Sequence, residues 1–464
     1  MKIGLFSVFS QKACTLKDVA GGYGTVFRVG HSWRAKLLER AKTRLIHLPP
    51  PSLGYLAAFA TQGGHQVVVR ERRPSAKSRD PMPDVDLAIV LSSITDAPEE
   101  RKLLAELKDK GIHSIVVGAF ASAKPEYYSD IADAVICGEA EALGHQLFDK
   151  NRTGVIEAGE VKELSKLPLP DWSMFPRKHY RYAGLAAKGQ VLPVLGMRGC
   201  AFRCNYCPYP VTASYRLRPV SDVVDEVRFL KKHYGVRGIA FRDPLFNASR
   251  QRLAAFIEQL KGLQIHYSAE MRADRLDIET LDKLYDSGLR SLQIGIESAD
   301  ASFATSLNRD VPDLTQIKKL VHHAEKIGIR VIANYILGLP NDTEARMKQS
   351  IDFAKKLNSF AVQFTVATPY PKTQLAAAVK DKVHAKPGPA FSGWEPTFVH
   401  PQIETHTLKT MREKAYISYH FRVAYLLHFV SFLTRPFQKK LRALFSIKAL
   451  NSKTQCKLTL SKSE

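Results

Sequence analysis

The chain has 464 residues, 45% hydrophobic and 24% charged, which allows two or three domains with their own cores and excludes an extended disordered chain. A formal charge of +23 favours negatively charged partners (nucleic acid, anionic lipid or phosphorylated substrates) or reflects a solvated basic surface. Six cysteines, three of them within eight residues, do not make a secreted disulfide framework; they read as reduced thiols plus one metal site.

In chain order, MKIGLFSVFS is a short apolar start without a signal-like cleavage region, and a buried strand over Lys2–Phe9 explains it. Residues 10–50 fit the pattern less well and read as an insertion. A helix over Ser52–Gln62 closes at Gly63-Gly64, where glycine accepts the left-handed turn. Strands follow at His65–Glu71 and Asp86–Ser92, then a helix over Pro98–Lys110 and strands at Ile112–Gly118 and Asp133–Gly138. Short Val- and Ile-rich runs alternating with helices predict a parallel sheet covered on both faces. Residues 160–190, with LSKLPLPDWSMFP, read as a proline-rich linker.

A second series begins at Val191. Strands are expected at Val191–Gly196, Gly238–Arg242, Ile265–Met271, Ser291–Ile296, Arg330–Leu337 and Ala361–Ala367. Helices are expected between them, over Ser221–Tyr234, Arg250–Leu260, Ile278–Ser287, Leu314–Ile327 and Thr343–Leu357. Right-handed crossovers curl such a series into a barrel, and six units are too few for a full eight-fold one. Helices are plausible over Thr407–Leu433 and Pro436–Leu450, with the last dozen residues expected to be disordered. No apolar run reaches ~18–20 residues, so no membrane-spanning helix is expected; AYLLHFVSFL (Ala424–Leu433) comes closest.

The stretch MRGCAFRCNYCPYP follows the first strand of the second series and spaces its thiols as Cys200-x3-Cys204-x2-Cys207. Three buried or reactive thiols without metal, or a three-cysteine zinc site completed from afar, are the alternatives; structural zinc takes four ligands, and no fourth stands at zinc-like spacing nearby. Iron–sulfur cubanes are held by cysteine thiolates, normally four; with three, one iron stays open for chemistry. The three cysteines, with Tyr206 before the third and RGC leading in, resemble the signature of radical S-adenosylmethionine (SAM) enzymes. That resemblance implies that Cys200, Cys204 and Cys207 hold a [4Fe–4S] cluster whose open iron chelates SAM. Electron transfer then yields a 5′-deoxyadenosyl radical. Ala201 stands where the family often has proline.

The resemblance continues at successive strand ends, from Val191 to about Leu375. FRDPLF (Phe241–Phe246) is similar to "F-x-D-D-x-F", which singles out Asp243. SAEMRAD (Ser268–Asp274) puts Glu270 and Arg272 on one side, two apart, where they could hold SAM's amino and carboxylate groups. IGIES (Ile294–Ser298) presents Glu297 as the acid contacting ribose or methionine. ILGLPNDT (Ile336–Thr343) is similar to "G-L-P-G-E-T", and ATPYPKTQL (Ala367–Leu375) to "P-Y-P-G-T-x-L", with Lys372 replacing glycine. The bland alternatives are a turn or cap aspartate for Asp243 and a structural ion pair for Glu270 and Arg272.

The N-terminal region resembles the cobalamin-binding class of this family. PPPSLGYLAAFATQGGHQVVVRE (Pro49–Glu71), VVGAFASAKPE (Val116–Glu126) and DAVICGEAEA (Asp133–Ala142) carry the likeness, with Ala119 and Ala121 replacing a Gly and a His. The Asp-x-His-x-x-Gly motif that supplies histidine to cobalt elsewhere is absent. The resemblance implies cobalamin lying on the strand C-terminal ends, touched by the loops after Ser92, Gly118 and Gly138. The alternative is a domain retained for folding.

These readings give an α/β chain. Residues 1–155 form a doubly wound, Rossmann-like, cobalamin-binding-like domain and 156–190 a linker. Residues 191–375 form a partial (β/α)6 barrel and 376–464 a helical basic extension. The expected activity is reductive cleavage of SAM and cobalamin-dependent methyl transfer to an unactivated carbon of a small or lipid-like metabolite. Radical cyclisation or rearrangement, or a non-catalytic metal protein on membrane or nucleic acid, are the alternatives. An electron donor such as flavodoxin or ferredoxin is implied, and no specific nucleic acid. The expected location is cytoplasmic, with peripheral contact at the inner membrane face through Arg422, Arg435, Lys439, Lys440 and Arg442; a solvated basic face on a helical subdomain is the rival.

Overall fold

The computed structural model describes residues 1–10, 15–43, 46–73, 81–182, 185, 190–309, 313–432 and 434. The chain divides into two compact units, residues 1–417 and 418–464.

The first unit opens with β1 (Lys2–Val8). A hairpin of β2 (Thr15–Leu16) and β3 (Thr25–Val26), α1 (Trp33–Thr43) and β4 (Ile46–His47) occupy the stretch read as an insertion. Then come α2 (Pro51–Gln62), β5 (Gln66–Arg72), β6 (Leu87–Leu91), α3 (Ala97–Asp109), β7 (His113–Val117), the short α4 (Ala119–Ala123), β8 (Ala134–Gly138) and β9 (Gly154–Gly159). The sheet order is β5-β1-β6-β7-β8-β9 and every pairing is parallel. Strand β9 was not anticipated: its side chains are largely exposed, so it lacks the apolar run that marks its neighbours. The order reverses on either side of β1, which opens a crevice at the strand C-terminal ends. Phe6, Val90, Leu104, Val116, Phe120 and Val135 fill one side of this sheet. Gly64, at φ +73°, takes the left-handed turn after α2, while Gly63 stays at negative φ.

The linker docks instead of dangling. Trp172 is fully buried, and a Cβ on Gly54 of α2 would lie 2.7 Å from its ring. Strand β10 (Arg181–Tyr182) pairs antiparallel with β4, tying linker to insertion.

The second series runs β11 (Val191–Val194), β12 (Met197–Arg198), α5 (Tyr209–Thr212), β13 (Arg216–Leu217), α6 (Val220–Tyr234), β14 (Gly238–Phe241), α7 (Arg250–Leu260), β15 (His266–Met271), α8 (Ile278–Asp286) and β16 (Leu289–Glu297). It continues with α9 (Ala301–Ser306), α10 (Leu314–Ile327), β17 (Arg330–Leu337), α11 (Glu344–Leu357), β18 (Ala361–Val366), α12 (Gln374–Ala378) and α13 (Thr405–His420). Strands β11-β14-β15-β16-β17-β18 form one parallel sheet in sequence order, the expected six-stranded open barrel. Local chemistry sets the helix ends. Ser249, Asp277, Asp313 and Thr343 accept backbone N–H bonds at the starts of α7, α8, α10 and α11. Gly235 and Gly328 take left-handed turns after α6 and α10. Arg412 of α13 donates to the carbonyls of Arg28 and Val29, and the Tyr416 hydroxyl accepts from Phe364 N–H at 2.9 Å.

In the second unit, residues 423–432 are helical. The expected Thr407–Leu433 helix is therefore broken near residues 421–422. The expected helix over Pro436–Leu450 and the disordered tail lie outside the described residues.

Candidate functional site

The cysteine loop hangs from a small clamp. Antiparallel β12 and β13 pair Met197 with Leu217 and Arg198 with Arg216, closing the loop at its base. Gly199, at φ +65°, makes the turn into Cys200; a Cβ there would stand 2.4 Å from the Ala213 carbonyl oxygen, so a side chain is excluded. Beyond the clamp, the loop is pinned to the residues just after α9 and to α12. Asn205 N–H donates to the Leu307 carbonyl, Leu375 N–H to the Asn205 carbonyl, and Asn308 Nδ2 to the Arg203 carbonyl. Cys207 N–H closes a turn on the Cys204 carbonyl at 3.0 Å.

Cys200, Cys204 and Cys207 are free, partly exposed thiols. Burial pushes Cys200 and Cys207 up, and each is raised further by neighbouring cysteines of the trio, so the three lie within one another's electrostatic reach. Among the described residues, no group of three or more His, Cys, Asp or Glu side chains is drawn tightly enough for a single ion. A cubane spreads its thiolates over separate corners, whereas zinc asks four ligands to converge on one point. Three cysteine thiols in one loop are the donor chemistry of an iron–sulfur cluster.

Beside the trio stand Tyr206, Glu297 and Arg309. Glu297 ends β16 at a bulge and sits at φ +63°, a costly conformation for a non-glycine residue. Its carboxylate lies 3.4 Å from Arg309 Nη1, and the same guanidinium donates to the Gly295 carbonyl at 2.5 Å and to the Tyr206 hydroxyl at 3.4 Å. Burial raises Glu297 and Arg309 opposes it. The sequence singled out Tyr206 and Glu297 but not Arg309, which lies in a loop with no motif around it.

The remaining candidates are differently occupied. Asp243 is buried and turned inward: Oδ1 accepts the Gly196 and Met197 N–H groups at 2.6 and 3.2 Å, while burial pushes the carboxyl up to about 6. It fixes the backbone leading into the cysteine loop, the role of a turn aspartate. Arg272 pairs with Asp274 (2.7 Å) rather than with Glu270, and its guanidinium lies over the Phe202 ring at 4.4 Å. Glu270, raised by burial, accepts from Gln293 Nε2 at 3.4 Å, and Gln293 also donates to the Tyr182 hydroxyl at 2.9 Å. The neighbour of Asp243, Arg242, reaches 224 residues back in sequence to Asp18 of the insertion, with Nε 2.5 Å from Oδ2. No sequence pattern connects that pair.

A cleft joins the two halves. Leu91, Ser92, Val117, Gly118, Ser122 and Gly138 supply its sheet side at the strand C-terminal ends. Opposite them, Met197, Arg198, Gly199, Tyr209, Thr212 and Arg242 bring in the cysteine loop and the barrel mouth. Gly118 and Gly138 have φ of +115° and +95°, and a Cβ on Gly138 would meet the Gly159 carbonyl oxygen at 2.4 Å. Ser92 itself and the residues after Gly118 and Gly138 line this cleft; the residues that follow Ser92 do not. Lys17 also borders it, but its amine is spent on the Leu91 carbonyl, Ser93 and Glu100. Lys372, the residue in the glycine position of "P-Y-P-G-T-x-L", has φ +67°, so the family's glycine stands where left-handed backbone is needed.

Residues 194–354, β11's last residue through most of α11, match the radical SAM superfamily. That stretch is a radical SAM domain. The chain is 24% identical over 412 residues to an uncharacterised methyltransferase of Pyrococcus horikoshii, covering 81% of this chain and 88% of that one. It is also 24% identical to a bacteriochlorophyllide d C-8(2)-methyltransferase of Chlorobaculum tepidum, covering 70% and 74%. An anaerobic magnesium-protoporphyrin IX monomethyl ester cyclase of Rubrivivax gelatinosus is also 24% identical, covering 72% of this chain and 67% of that one. The fold of this chain is similar to the radical SAM methyltransferase TsrM of Kitasatospora setae, solved with cobalamin and a [4Fe–4S] cluster: TM-score 0.56, 15% identity, 82% of this chain and 78% of that one.

Proposed function

We propose that this radical SAM enzyme is a cobalamin-dependent methyltransferase acting on an unactivated carbon of a small or lipid-like substrate. The observation that carries this reading is the single cleft whose one wall is the C-terminal edge of a doubly wound sheet and whose other wall is the cysteine loop. It is glycine-lined at Gly118 and Gly138, where backbone could approach a flat ligand, and the Lys17 amine that borders it is already held by Leu91, Ser93 and Glu100. When bound, the cluster with SAM supplies a hydrogen-abstracting radical and cobalamin supplies a methyl group.

The chain's own residues hold and orient. Cys200, Cys204 and Cys207 would hold the cluster. Glu297 and Arg309 offer opposite charges beside it, suited to the amino and carboxylate groups of SAM. Arg272 stacks on Phe202 and steadies the loop. Glu270, Gln293 and Tyr182 form a hydrogen-bonding wall inside the barrel. An electron donor such as flavodoxin or ferredoxin is part of the proposal.

No described helix is long and apolar enough to cross a membrane. In the second unit, Val423, Leu426, Leu427 and Val430 are 72%, 49%, 67% and 52% exposed at the i, i+3, i+4, i+7 spacing of one helix face. The sequence then continues through Arg435, Lys439, Lys440 and Arg442. An apolar face followed by a cationic run matches an anionic bilayer surface, and we include peripheral contact there in the reading.

The test is anaerobic purification with hydroxocobalamin supplied, counting iron, sulfide and cobalt, then incubation with reductant and methyl-deuterated SAM. About four irons per chain, bound cobalt and 5′-deoxyadenosine are expected, with label appearing in product once the acceptor is present. Zinc without iron would overturn the enzyme reading. Iron and SAM cleavage without cobalt binding would move the reading to ring formation or rearrangement.

A further inference from the structure

Glu139 follows β8 and lines the cleft together with Gly138, Ala140 and Glu141. Its carboxylate is shared by the two arginines of the clamp that closes the cysteine loop. Arg198 Nη1 lies 2.9 Å from Oε2, and Arg216 reaches Oε2 through Nη1 (3.0 Å) and Oε1 through Nη2 (2.5 Å). Val161 N–H adds a bond to Oε2 at 2.7 Å, and Glu141 takes the other end of Arg198 at 2.8 Å. All three side chains of the central trio, Glu139, Arg198 and Arg216, are only 10–14% exposed. Arg198 is two residues before Cys200. The contact is made by the wall of one cofactor site on the base of the other.

Such an arrangement is more than surface pairing. Exposed ion pairs contribute little, but a half-desolvated carboxylate with bidentate arginine geometry fixes both partners in angle as well as distance. Glu141 makes the second ionic contact from the β8 loop to the clamp but reaches Arg198 alone, whereas Glu139 takes both arginines; Glu160, a further acid here, lies 3.5 Å from Arg216 Nη2 and 2.6 Å from Ser214 N–H and does not line the cleft.

We propose that Glu139 is a positioning residue that sets the cysteine loop against the corrin cleft, so that cobalamin binding and the environment of the cluster depend on one another. This inference rests on the cobalamin reading above. With Glu139 removed, the loop Gly138–Glu141 keeps only the Glu141–Arg198 pair to the clamp, and the two clamp arginines lose their shared acceptor.

The experiment compares full-length wild type, Glu139→Gln and Glu160→Gln, each reconstituted anaerobically. Hydroxocobalamin affinity is read by visible absorption, and the dithionite-reduced cluster by low-temperature EPR with and without hydroxocobalamin, at matched iron content. In wild type, cobalamin should alter the cluster signal. In Glu139→Gln, iron should be retained, cobalamin affinity should fall by about ten-fold, and the cluster signal should no longer respond to cobalamin; Glu160→Gln should behave as wild type. Glu139→Asp, which keeps the charge but shortens the reach, should fall between wild type and Glu139→Gln. If wild type binds cobalamin and Glu139→Gln matches it in both affinity and EPR response, the inference is overturned. An equal loss in Glu160→Gln overturns it too, because that shows mere stabilisation of the hairpin. If wild type itself binds no cobalamin, it is the cobalamin reading that fails.

Discussion

Arg309 stands 3.4 Å from Glu297 and 3.4 Å from the Tyr206 hydroxyl, joining the end of β16 to the residue before the third cysteine. Because Glu297 is held at φ +63°, its side chain is aimed by backbone conformation and not by rotamer choice alone. Replacing Arg309 by Ala, or Glu297 by Gln, should leave iron content within error of wild type and lower the rate of 5′-deoxyadenosine formation by roughly 10- to 100-fold, the scale of one charge-assisted hydrogen bond. Parallel loss of iron in both variants would show that the pair holds the loop and not SAM.

The barrel was legible because each strand is a short apolar run and each helix begins and ends on chemistry that the sequence displays, such as Ser249, Asp313, Gly235 and Gly328. The cysteines were legible because their ligands are local. Arg309 and the Asp18–Arg242 pair were not, because both depend on loops brought together across the fold with no spacing rule. Asp243 was picked out by its motif and assigned to a cofactor; the geometry uses its Oδ1 on two backbone N–H groups and leaves Oδ2 without a hydrogen-bond partner among the described residues. The pattern of letters marked a required aspartate without saying what required it. Strand β9 escaped notice because exposed side chains carry no hydrophobic period.

Asp243→Ala strips the acceptor from two buried N–H groups and should destabilise the chain by about 2–4 kcal/mol. Asp243→Asn keeps Oδ1 and should cost less. Thermal melts of the iron-free protein check the stability term, and iron retention after desalting checks whether the loop entrance has shifted. A melt unchanged in Asp243→Ala would contradict the assignment.

Asp300, just beyond β16, accepts from the Ser302 hydroxyl (2.6 Å), Arg346 Nε (2.9 Å) and Phe303 N–H (3.0 Å), which hold its carboxyl down to about 2. A depressed carboxylate contributes stability above its unfolded value near 4 and loses it as pH falls through 2. The side chain is 23% exposed, so solvent screening trims the effect. Asp300→Asn should therefore lower neutral-pH stability by about 1–2 kcal/mol, with the gap to wild type closing below about pH 3. Denaturant titrations at pH 7 and at pH 3 test this; a gap that widens in acid contradicts it.

Val423→Asp combined with Leu427→Asp should cut co-sedimentation with phosphatidylserine-containing vesicles at least several-fold and leave the little binding to neutral phosphatidylcholine vesicles unchanged. Equal sedimentation of wild type and the double variant would remove the bilayer from the reading, leaving the row as a face for another occupant.

The shared cleft has a practical corollary for dissecting the molecule. Neither half owns a complete cavity, and Tyr23 of the insertion stacks on Tyr370 after β18, with ring centroids 5.5 Å apart, while its hydroxyl donates to the Pro371 carbonyl. A cut near residue 160 would sever more than a tether: each fragment would carry an open trough, with wet tyrosines and arginines stripped of their counter-charges. Module swapping between relatives would have to exchange the insertion, the β8 loop and the cysteine hairpin as one inherited block.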